Sequence, residues 1–127
     1  MWALDTDTLT LWLRGHEPDD LAITIITVEE VLSGWYRMIR QARDDDKLVR
    51  AYQSLQQSIE FLRQVRILPF DKSAAQRHHQ LRKMHRMANT NDLRIAAITI
   101  GWSATLVSRN LRDFRPITEL DVEDWTT

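Results

Sequence analysis

Short apolar runs alternate with longer stretches of helical periodicity throughout this chain of 127 residues. Residues 21–26 are rich in β-branched side chains, which is typical of a strand buried on both faces. Further short strands are predicted at residues 1–4, 66–69, 104–107 and 120–122, with helical patterns between most of them. This alternation predicts an α/β fold in which helices cover a mostly parallel sheet.

Two of the predicted helices follow the second strand with no strand between them. Thr27 opens the first, and the acidic run at residues 44–46 offers a cap for the second. Together they predict a helical hairpin at about residues 27–65, between the second and third strands. Asp71 is then predicted to cap a helix that continues to about Met87.

Length and composition limit the possible classes of protein. The chain is long enough for a single domain, residues 1–127, and too short for two. It contains no cysteine, which excludes disulfides, thiolate zinc sites and a cysteine nucleophile. No apolar run is long enough to span a bilayer and no signal peptide is recognisable, so we expect a cytoplasmic protein without a membrane partner.

Acidic clusters stand at three places where an apolar strand is predicted to lead into the first turn of a helix. They lie in residues 4–7 (Leu-Asp-Thr-Asp), 27–30 (Thr-Val-Glu-Glu) and 91–92 (Asn-Asp). In a parallel α/β sheet such junctions lie along one edge, where ligands bind. Carboxylates that meet at one point repel each other unless a cation sits among them, so the pattern indicates a divalent metal site.

Each of these acids also has a purely structural explanation. Thr27 and Glu30 have the spacing of a capping box. Asp5 could cap the helix that follows it, and Asp92 lies in a first helical turn, where the helix dipole favours an acid. Capping does not require acids at three successive junctions, however, and this repetition favours the metal site.

A fourth polar cluster follows the predicted strand at residues 104–107. Asn110 could bind a metal through its side-chain carbonyl, and Asp113 could hold a metal-bound water. A simple turn built on Asn and Asp explains the same residues. The sequence leaves both interpretations open.

Charge is segregated along the chain, although the formal net charge is only −1. Residues 1–36 carry one basic and seven acidic residues, residues 37–86 carry twelve basic and five acidic ones, and residues 87–127 carry four and six. A basic middle beside acidic flanks is compatible with a polyanionic substrate that is drawn to a metal-charged carboxylate site. On charge alone, a solvated helical face is the favoured explanation of the basic stretch.

Histidines and glycines indicate no further chemistry. His78 and His85 fall on one helical face and form no HExxH motif, so they are predicted to be packing or surface residues. Gly15, Gly34 and Gly101 are scattered rather than grouped in a phosphate-binding loop. Their spacing argues against a nucleotide cofactor.

Six segments resemble the PIN-domain ribonucleases, and specifically the VapC toxins of bacterial toxin–antitoxin pairs. They are residues 4–7, 26–34, 67–71, 91–97, 104–114 and 123–125. The segments follow the order and spacing of the family over nearly the full length of the chain. The resemblance implies a three-layer α/β/α PIN-like fold with a mostly parallel central sheet of four to five strands.

The same resemblance implies an endoribonuclease that depends on Mg²⁺ or Mn²⁺ and is held inactive by a cognate VapB-type antitoxin. The acids of the family carry over to Asp5, Glu30 and Asp92, and the fourth falls at Asn110 or Asp113. The resemblance also implies a homodimer, with dimer and antitoxin contacts on the helical hairpin. Contact with operator DNA would be indirect, through the antitoxin.

Metal chemistry suggests a role for each acid. We expect Asp5 and Asp92 to hold the cation, and Glu30 with Asp113 or Asn110 to position its waters. Asp7 stands where the family commonly has Asn, and it would add charge to the site. The residues expected to orient water, phosphate or the RNA backbone are Thr6, Asp7, Thr90, Arg94, Ser108, Arg109 and Arg112.

Other classes of protein are less consistent with the sequence. Asp5 and Asp7 mimic the nucleophile and acid–base pair of haloacid-dehalogenase-like phosphatases, and a receiver-like signalling domain also takes phosphate on an Asp. Both classes rely on a lysine late in the fold, and this chain has none after Lys83. A catalytically silent PIN-like module that only binds RNA or a partner is disfavoured because Asp5, Glu30 and Asp92 are all present.

Overall fold

The structure is a computed structural model that describes the backbone of residues 2–4 and all of residues 21–124. Within these residues a five-stranded sheet has the order β3-β2-β1-β4-β5, and every pairing is parallel. The strands are β1 (Trp2–Leu4), β2 (Leu21–Thr24), β3 (Arg66–Leu68), β4 (Thr105–Val107) and β5 (Asp121–Glu123). The predicted parallel α/β sheet is confirmed.

Helices of the described residues cover both faces of this sheet. They are α1 (Ile25–Gln41), α2 (Asp45–Leu62), α3 (Lys72–Met84), α4 (Thr90–Gly101) and the short α5 (Leu111–Phe114). α1 packs on α2 and α3 packs on α4, so the main helices form two pairs. The sheet therefore lies between two helical layers.

Alternation of side chains along the strands distributes the core between these layers. In β2, Leu21 and Ile23 face the α1–α2 pair, where they contact Phe61 and Val65. Ala22 lies between them and joins the larger cluster formed with α3 and α4. All residues of β2 are buried, as expected for a central strand of a parallel sheet.

α4 is the most deeply buried helix of the described chain. Leu93, Ile95, Ala96, Ala97 and Ile98 are at most 2% exposed. Small alanines let this helix approach the sheet and α3 closely, while the larger aliphatic residues fill the remaining space. Its nearly continuous apolar sequence is consistent with this central position.

Element boundaries differ from the sequence prediction at several points. β2 ends at Thr24 rather than Ile26, and α1 begins at Ile25 rather than at Thr27. α3 ends at Met84 rather than near Met87. A continuous apolar run does not mark where a strand becomes a helix, and only the cap identifies that point. None of the described helices is both long enough and apolar enough to cross a membrane.

Candidate metal centre at the carboxyl edge of the sheet

β1, β2 and β4 end side by side at the carboxyl edge of the sheet. Leu4 pairs with Ile23 on one side and with Val107 on the other. Thr24 and Ser108 are the next residues along the neighbouring strands, and both side chains are fully buried. This edge is the place where parallel α/β sheets bind ligands.

Asp5, Thr6 and Asp7 follow Leu4 in the sequence, and all three lie outside the described residues. Their predicted roles therefore stay predictions. The register of β1 nevertheless fixes where the described strand stops, because Leu4 lies between Ile23 and Val107. The chain passes from Leu4 directly to Asp5.

Glu30 is not part of a capping box, contrary to the alternative drawn from its spacing. The cap of α1 is Thr24, whose Oγ1 accepts a hydrogen bond from the backbone N–H of Thr27 at 3.2 Å. The first turn of α1 contains no acid, so Glu30 lies in the second turn. Because Thr24 already caps the helix, capping no longer explains Glu30.

The side chain of Glu30 lies along a buried stripe of α1. Ile26 and Thr27, four and three residues before it, are buried, and Glu30 itself is half-buried. Ile26 belongs to the same hydrophobic cluster as Leu93 of α4. The adjacent Glu29 is exposed, so the two neighbouring acids differ in how far their side chains are buried.

Asp92 reaches the same edge by a different path from the one predicted. α4 follows the loop after α3, so Asp92 does not stand at a strand-to-helix junction. α4 is joined to the start of β4 through residues 102–104, so it ends near the amino edge of the sheet. Leu93, in the first turn of α4, shares a hydrophobic cluster with Ile26 at the start of α1, which follows the carboxyl end of β2. Together these positions indicate that α4 begins at the carboxyl edge. From Asp92 to Gly101 the helix rises about 14 Å, which exceeds the roughly 10 Å length of a three-residue strand.

Asn89 is the N-cap of α4, so Asp92 is not needed to cap this helix. Asn89 Oδ1 accepts hydrogen bonds from the backbone N–H groups of Asn91 at 2.9 Å and of Asp92 at 3.2 Å. Asp92 is the acid in the first turn of α4, and its side chain is half-buried. As with Glu30, another residue already supplies the cap.

The polar residues after β4 form a hydrogen-bonded turn. Ser108 Oγ accepts from the backbone N–H of Asn110 at 2.9 Å, and the Ser108 backbone donates to the carbonyl of Glu123 at 3.0 Å. Asn110 Nδ2 donates to Asp113 Oδ2 across the first turn of α5. Asn110 and Asp113, the two candidates for the fourth ligand, are thus joined to each other, and Asp113 is exposed.

The described donors suit a hard cation, although they do not complete a site. Within residues 21–124, no group of three or more His, Asp and Glu residues could hold a metal ion. Glu30 and Asp92 supply carboxylate oxygens and Asn110 an amide oxygen, which are ligands that Mg²⁺ and Mn²⁺ prefer. Asp5, the remaining acid of the expected set, lies outside the described residues.

The expected substrate-binding residues are of two kinds. Arg109 and Arg112 are exposed near the end of β4, whereas Arg94 is half-buried and donates from Nη1 to Asn91 Oδ1 at 3.0 Å. Thr90 accepts a hydrogen bond at Oγ1 from Arg82 Nη2 at 2.7 Å. Sequence reasoning missed Arg82, because no local pattern distinguishes it from the other residues of the basic stretch.

His78 and His85, which were predicted to be packing or surface residues, are both half-buried, but they are not equivalent. The His78 ring makes an edge-on contact with Phe70 at 6.2 Å between centroids, whereas His85 lies just beyond the end of α3. Burial lowers the pKa of His78, and the positive charges of Arg94 and Arg82 and neighbouring His79 lower it further. A cation-rich setting of this kind disfavours a bound metal at His78.

No protein-family model matches this sequence. A curated relative, ribonuclease VapC1 of Haemophilus influenzae strain R2866, is 28% identical over 110 residues, which are 85% of this chain and 76% of the relative. The crystal structure of FitAcB from Neisseria gonorrhoeae aligns with a TM-score of 0.80 at 25% identity and covers 100% of both chains. The fold is that of the VapC-type PIN domains.

A second solved structure supports the same fold. VapBC2 from Rickettsia felis, bound to a DNA fragment from its promoter, aligns with a TM-score of 0.74 at 23% identity and covers 98% of both chains. The resemblance to VapC toxins drawn from the six sequence segments is confirmed by these relatives. They favour neither a phosphatase nor a catalytically silent module.

Proposed function

We propose that this chain is a metal-dependent endoribonuclease of the VapC type, the toxin of a toxin–antitoxin pair. The observation that carries the proposal is the packing of α1 against α4 beside the carboxyl end of β2, where Ile26 and Leu93 share one hydrophobic cluster. Each helix carries one half-buried acid in its first two turns, Glu30 or Asp92, although another residue already caps that helix. The names of the curated relatives, ribonuclease VapC1, support RNA as the substrate.

In this proposal Asp5 and Asp92 hold a Mg²⁺ or Mn²⁺ ion. When bound, such an ion neutralises charge on the scissile phosphate and lowers the pKa of a coordinated water. Glu30 would orient water in the site, and its place on the buried stripe of α1 restricts its rotamers. Asp113 would have the same role, with its side chain oriented by the hydrogen bond from Asn110.

The remaining polar residues orient the RNA and the loops around the site. Arg109 and Arg112 are exposed and suited to contact phosphates, which positions a strand without reading its sequence. Ser108 is fully buried and accepts from Asn110, so it supports the turn that carries Asn110 and Asp113. The other residues proposed to bind the substrate are Thr6, Asp7, Thr90 and Arg94.

The partner in this proposal is a VapB-type antitoxin that binds the α1–α2 pair. A groove of about 540 Å³ lies between these helices and is lined by Trp35, Met38, Ala42, Lys47, Arg50 and Ala51. Trp35 Nε1 donates to Ser58 Oγ at 2.7 Å, which fixes the two helices around it. Structures of related toxin–antitoxin pairs, one of them bound to promoter DNA, support this partner and an indirect contact with operator DNA.

The same helices are proposed to carry the contact of a homodimer, within a single domain that spans residues 1–127. Tyr36, Val49 and Tyr52 are exposed apolar or aromatic residues of α1 and α2. Such residues lose unfavourable contact with water when a second chain covers them. We place the pair in the cytoplasm, where its RNA substrate and its operator are found.

The test is cleavage of RNA by the purified chain after removal of its antitoxin. We expect single-stranded or structured RNA to be cut with Mg²⁺ or Mn²⁺, EDTA to stop the reaction, and added antitoxin to inhibit it. Asp5→Asn and Asp92→Asn should abolish cleavage, because each removes one ligand charge at constant size. Circular dichroism checks that both variants fold. Cleavage by both at the wild-type rate would overturn the proposed site.

A further inference from the structure

Arg82 holds the loop between α3 and α4 from within the last turn of α3. Its Nη1 donates to the carbonyl oxygens of Ala88 at 2.9 Å and of Arg86 at 3.2 Å. Its Nη2 donates to Thr90 Oγ1 at 2.7 Å. One guanidinium therefore contacts two loop residues and the first residue of α4 at the same time.

These contacts lie on both sides of Asn89, the residue that caps α4. Ala88 precedes Asn89 and Thr90 follows it, and Arg82 binds both. Asn89 Oδ1 in turn accepts from the backbone N–H of Asp92. Arg82 thus holds the two residues that are covalently joined to Asn89, and Asn89 is joined to Asp92 by a hydrogen bond.

The acceptors of Arg82 are neutral, which distinguishes these contacts from an ordinary ion pair. Within residues 21–124, no carboxylate lies within salt-bridge distance of Arg82. A planar guanidinium with five N–H donors can satisfy several divergent acceptors at once, which the flexible ammonium of lysine does poorly. The geometry of the loop therefore depends on an arginine at this position.

Packing of α4 does not require the hydrogen bonds that Arg82 makes to the loop. The body of α4 is already buried, with Leu93 and Ala96 at 0% exposure. A second arginine of α3, Arg77, also crosses to α4 and donates from Nη1 to the carbonyl of Ala97 at 3.1 Å. Arg77 therefore makes a comparable contact between the same two helices, nearer to the other end of α4.

We propose that Arg82 is a positioning residue for Asp92: it fixes the residues on both sides of the Asn89 cap and so holds the Asp92 carboxylate in its metal-binding orientation. The inference rests on the proposed function, because it assigns Asp92 to the metal. Outer-shell contacts of this kind typically change metal affinity by about 10- to 100-fold when they are removed. In this role Arg82 acts on Asp92 through the loop residues that it contacts.

Two variants of α3 separate positioning from packing. Arg82→Met and Arg77→Met each remove one guanidinium that crosses to α4 while retaining an unbranched apolar chain. Titration calorimetry of the metal-free protein with Mn²⁺ is expected to give a dissociation constant raised about tenfold or more for Arg82→Met. Arg77→Met should stay within about twofold of wild type, since its acceptor Ala97 lies well past Asp92.

A second readout needs no metal. In EDTA, amide hydrogen exchange followed by NMR should become faster at Asn91 and Asp92 in Arg82→Met but not in Arg77→Met. Arg82→Lys should restore only part of the Mn²⁺ affinity. Thr90→Val, which removes one acceptor at nearly constant shape, serves as the milder variant if Arg82→Met does not fold.

The outcomes distinguish this inference from the proposed function. If wild type neither binds Mn²⁺ nor cuts RNA, the proposed function fails, and the exchange of the Asp92 amide still tests whether Arg82 holds the loop. If wild type binds Mn²⁺ and Arg82→Met binds it equally well with unchanged Asp92 exchange, the positioning role is wrong. Equal loss of affinity in Arg77→Met would show a packing effect and would overturn it as well.

Discussion

α1 and α4 each carry one half-buried acid in their first two turns, Glu30 and Asp92, but the starts of the two helices are held in different ways. α1 continues directly from β2, so its cap, Thr24, is also the last residue of a buried strand. α4 is reached through a loop after α3, and its start is held by the side chains of Asn89 and Arg82. Covalent continuity positions Glu30, whereas hydrogen bonds from side chains position Asp92.

The two helices also differ in what they do beyond the site. α4 is buried along most of its length, whereas α1 extends past the sheet and exposes Tyr36 and Met38. A helix surrounded by core cannot shift without disturbing several neighbours. A helix with one free face can bind a partner. The comparison suggests that α4 fixes the geometry of the site and that the α1–α2 pair is the surface for regulation.

The largest expected effect is a loss of stability when a buried side chain of α4 is shortened. Leu93→Ala should lower the free energy of unfolding by about 2–5 kcal/mol, because it leaves a cavity beside a fully buried helix. The matched change on α1 is Leu32→Ala, at a half-buried position. It should cost about half as much or less, since the site is partly open to water. Urea denaturation measures both, and equal losses would contradict the comparison.

The next effect is on cleavage and compares two adjacent acids of α1. Glu30→Gln should lower the rate of RNA cleavage about 10- to 100-fold, because it removes a group that orients water at the metal. Glu29→Gln should cut at nearly the wild-type rate, since Glu29 is exposed. Both variants should fold normally, because Thr24 and not Glu30 caps α1. If Glu29→Gln were the slower enzyme, the assignment of the half-buried acid would be incorrect.

Sequence reasoning predicted the elements better than their junctions. The apolar runs and helical periodicities indicated the parallel sheet and the helical hairpin, because burial leaves a periodic pattern in the chain. The start of α1 was misplaced, since Thr27 and Glu30 match a capping box by spacing alone while Thr24 provides the acceptor. Spacing cannot show which of two threonines ends a strand.

The candidate site was predictable only in part. Its acids stand out because they recur beside apolar segments, yet the route of Asp92 to the edge required the order of α3, α4 and β4. The bond between Asn110 and Asp113 follows a local spacing and could have been anticipated. Arg82 could not, because its three acceptors depend on how the chain folds back after α3.

The caps of the two helices offer a smaller and sharper test. Thr24→Ala and Asn89→Ala should each cost about 1 kcal/mol of stability, the usual contribution of a capping side chain. Only Asn89→Ala should also raise the Mn²⁺ concentration needed for half-maximal cleavage, since Asn89 accepts from the Asp92 amide. Thr24→Ser and Asn89→Asp retain an acceptor oxygen and serve as controls. A shared change in metal requirement would remove the distinction between the two helices.

The smallest expected effect is a pH dependence confined to the α3–α4 pair. Burial, together with Arg94, Arg82 and His79, lowers the pKa of His78 below its ordinary value of 6.5. At a pH below 6.5 the unfolded chain therefore binds more protons at this site than the folded one, and stability falls as the pH is lowered. Residues 25–62, which span α1 and α2, contain no histidine.

His78→Gln should flatten the decline in unfolding free energy between about pH 7 and pH 5. Amide exchange at the lower pH should accelerate in α3 and α4 of the wild type while α1 and α2 stay protected; a uniform acceleration would mean that carboxylates, and not His78, set the dependence.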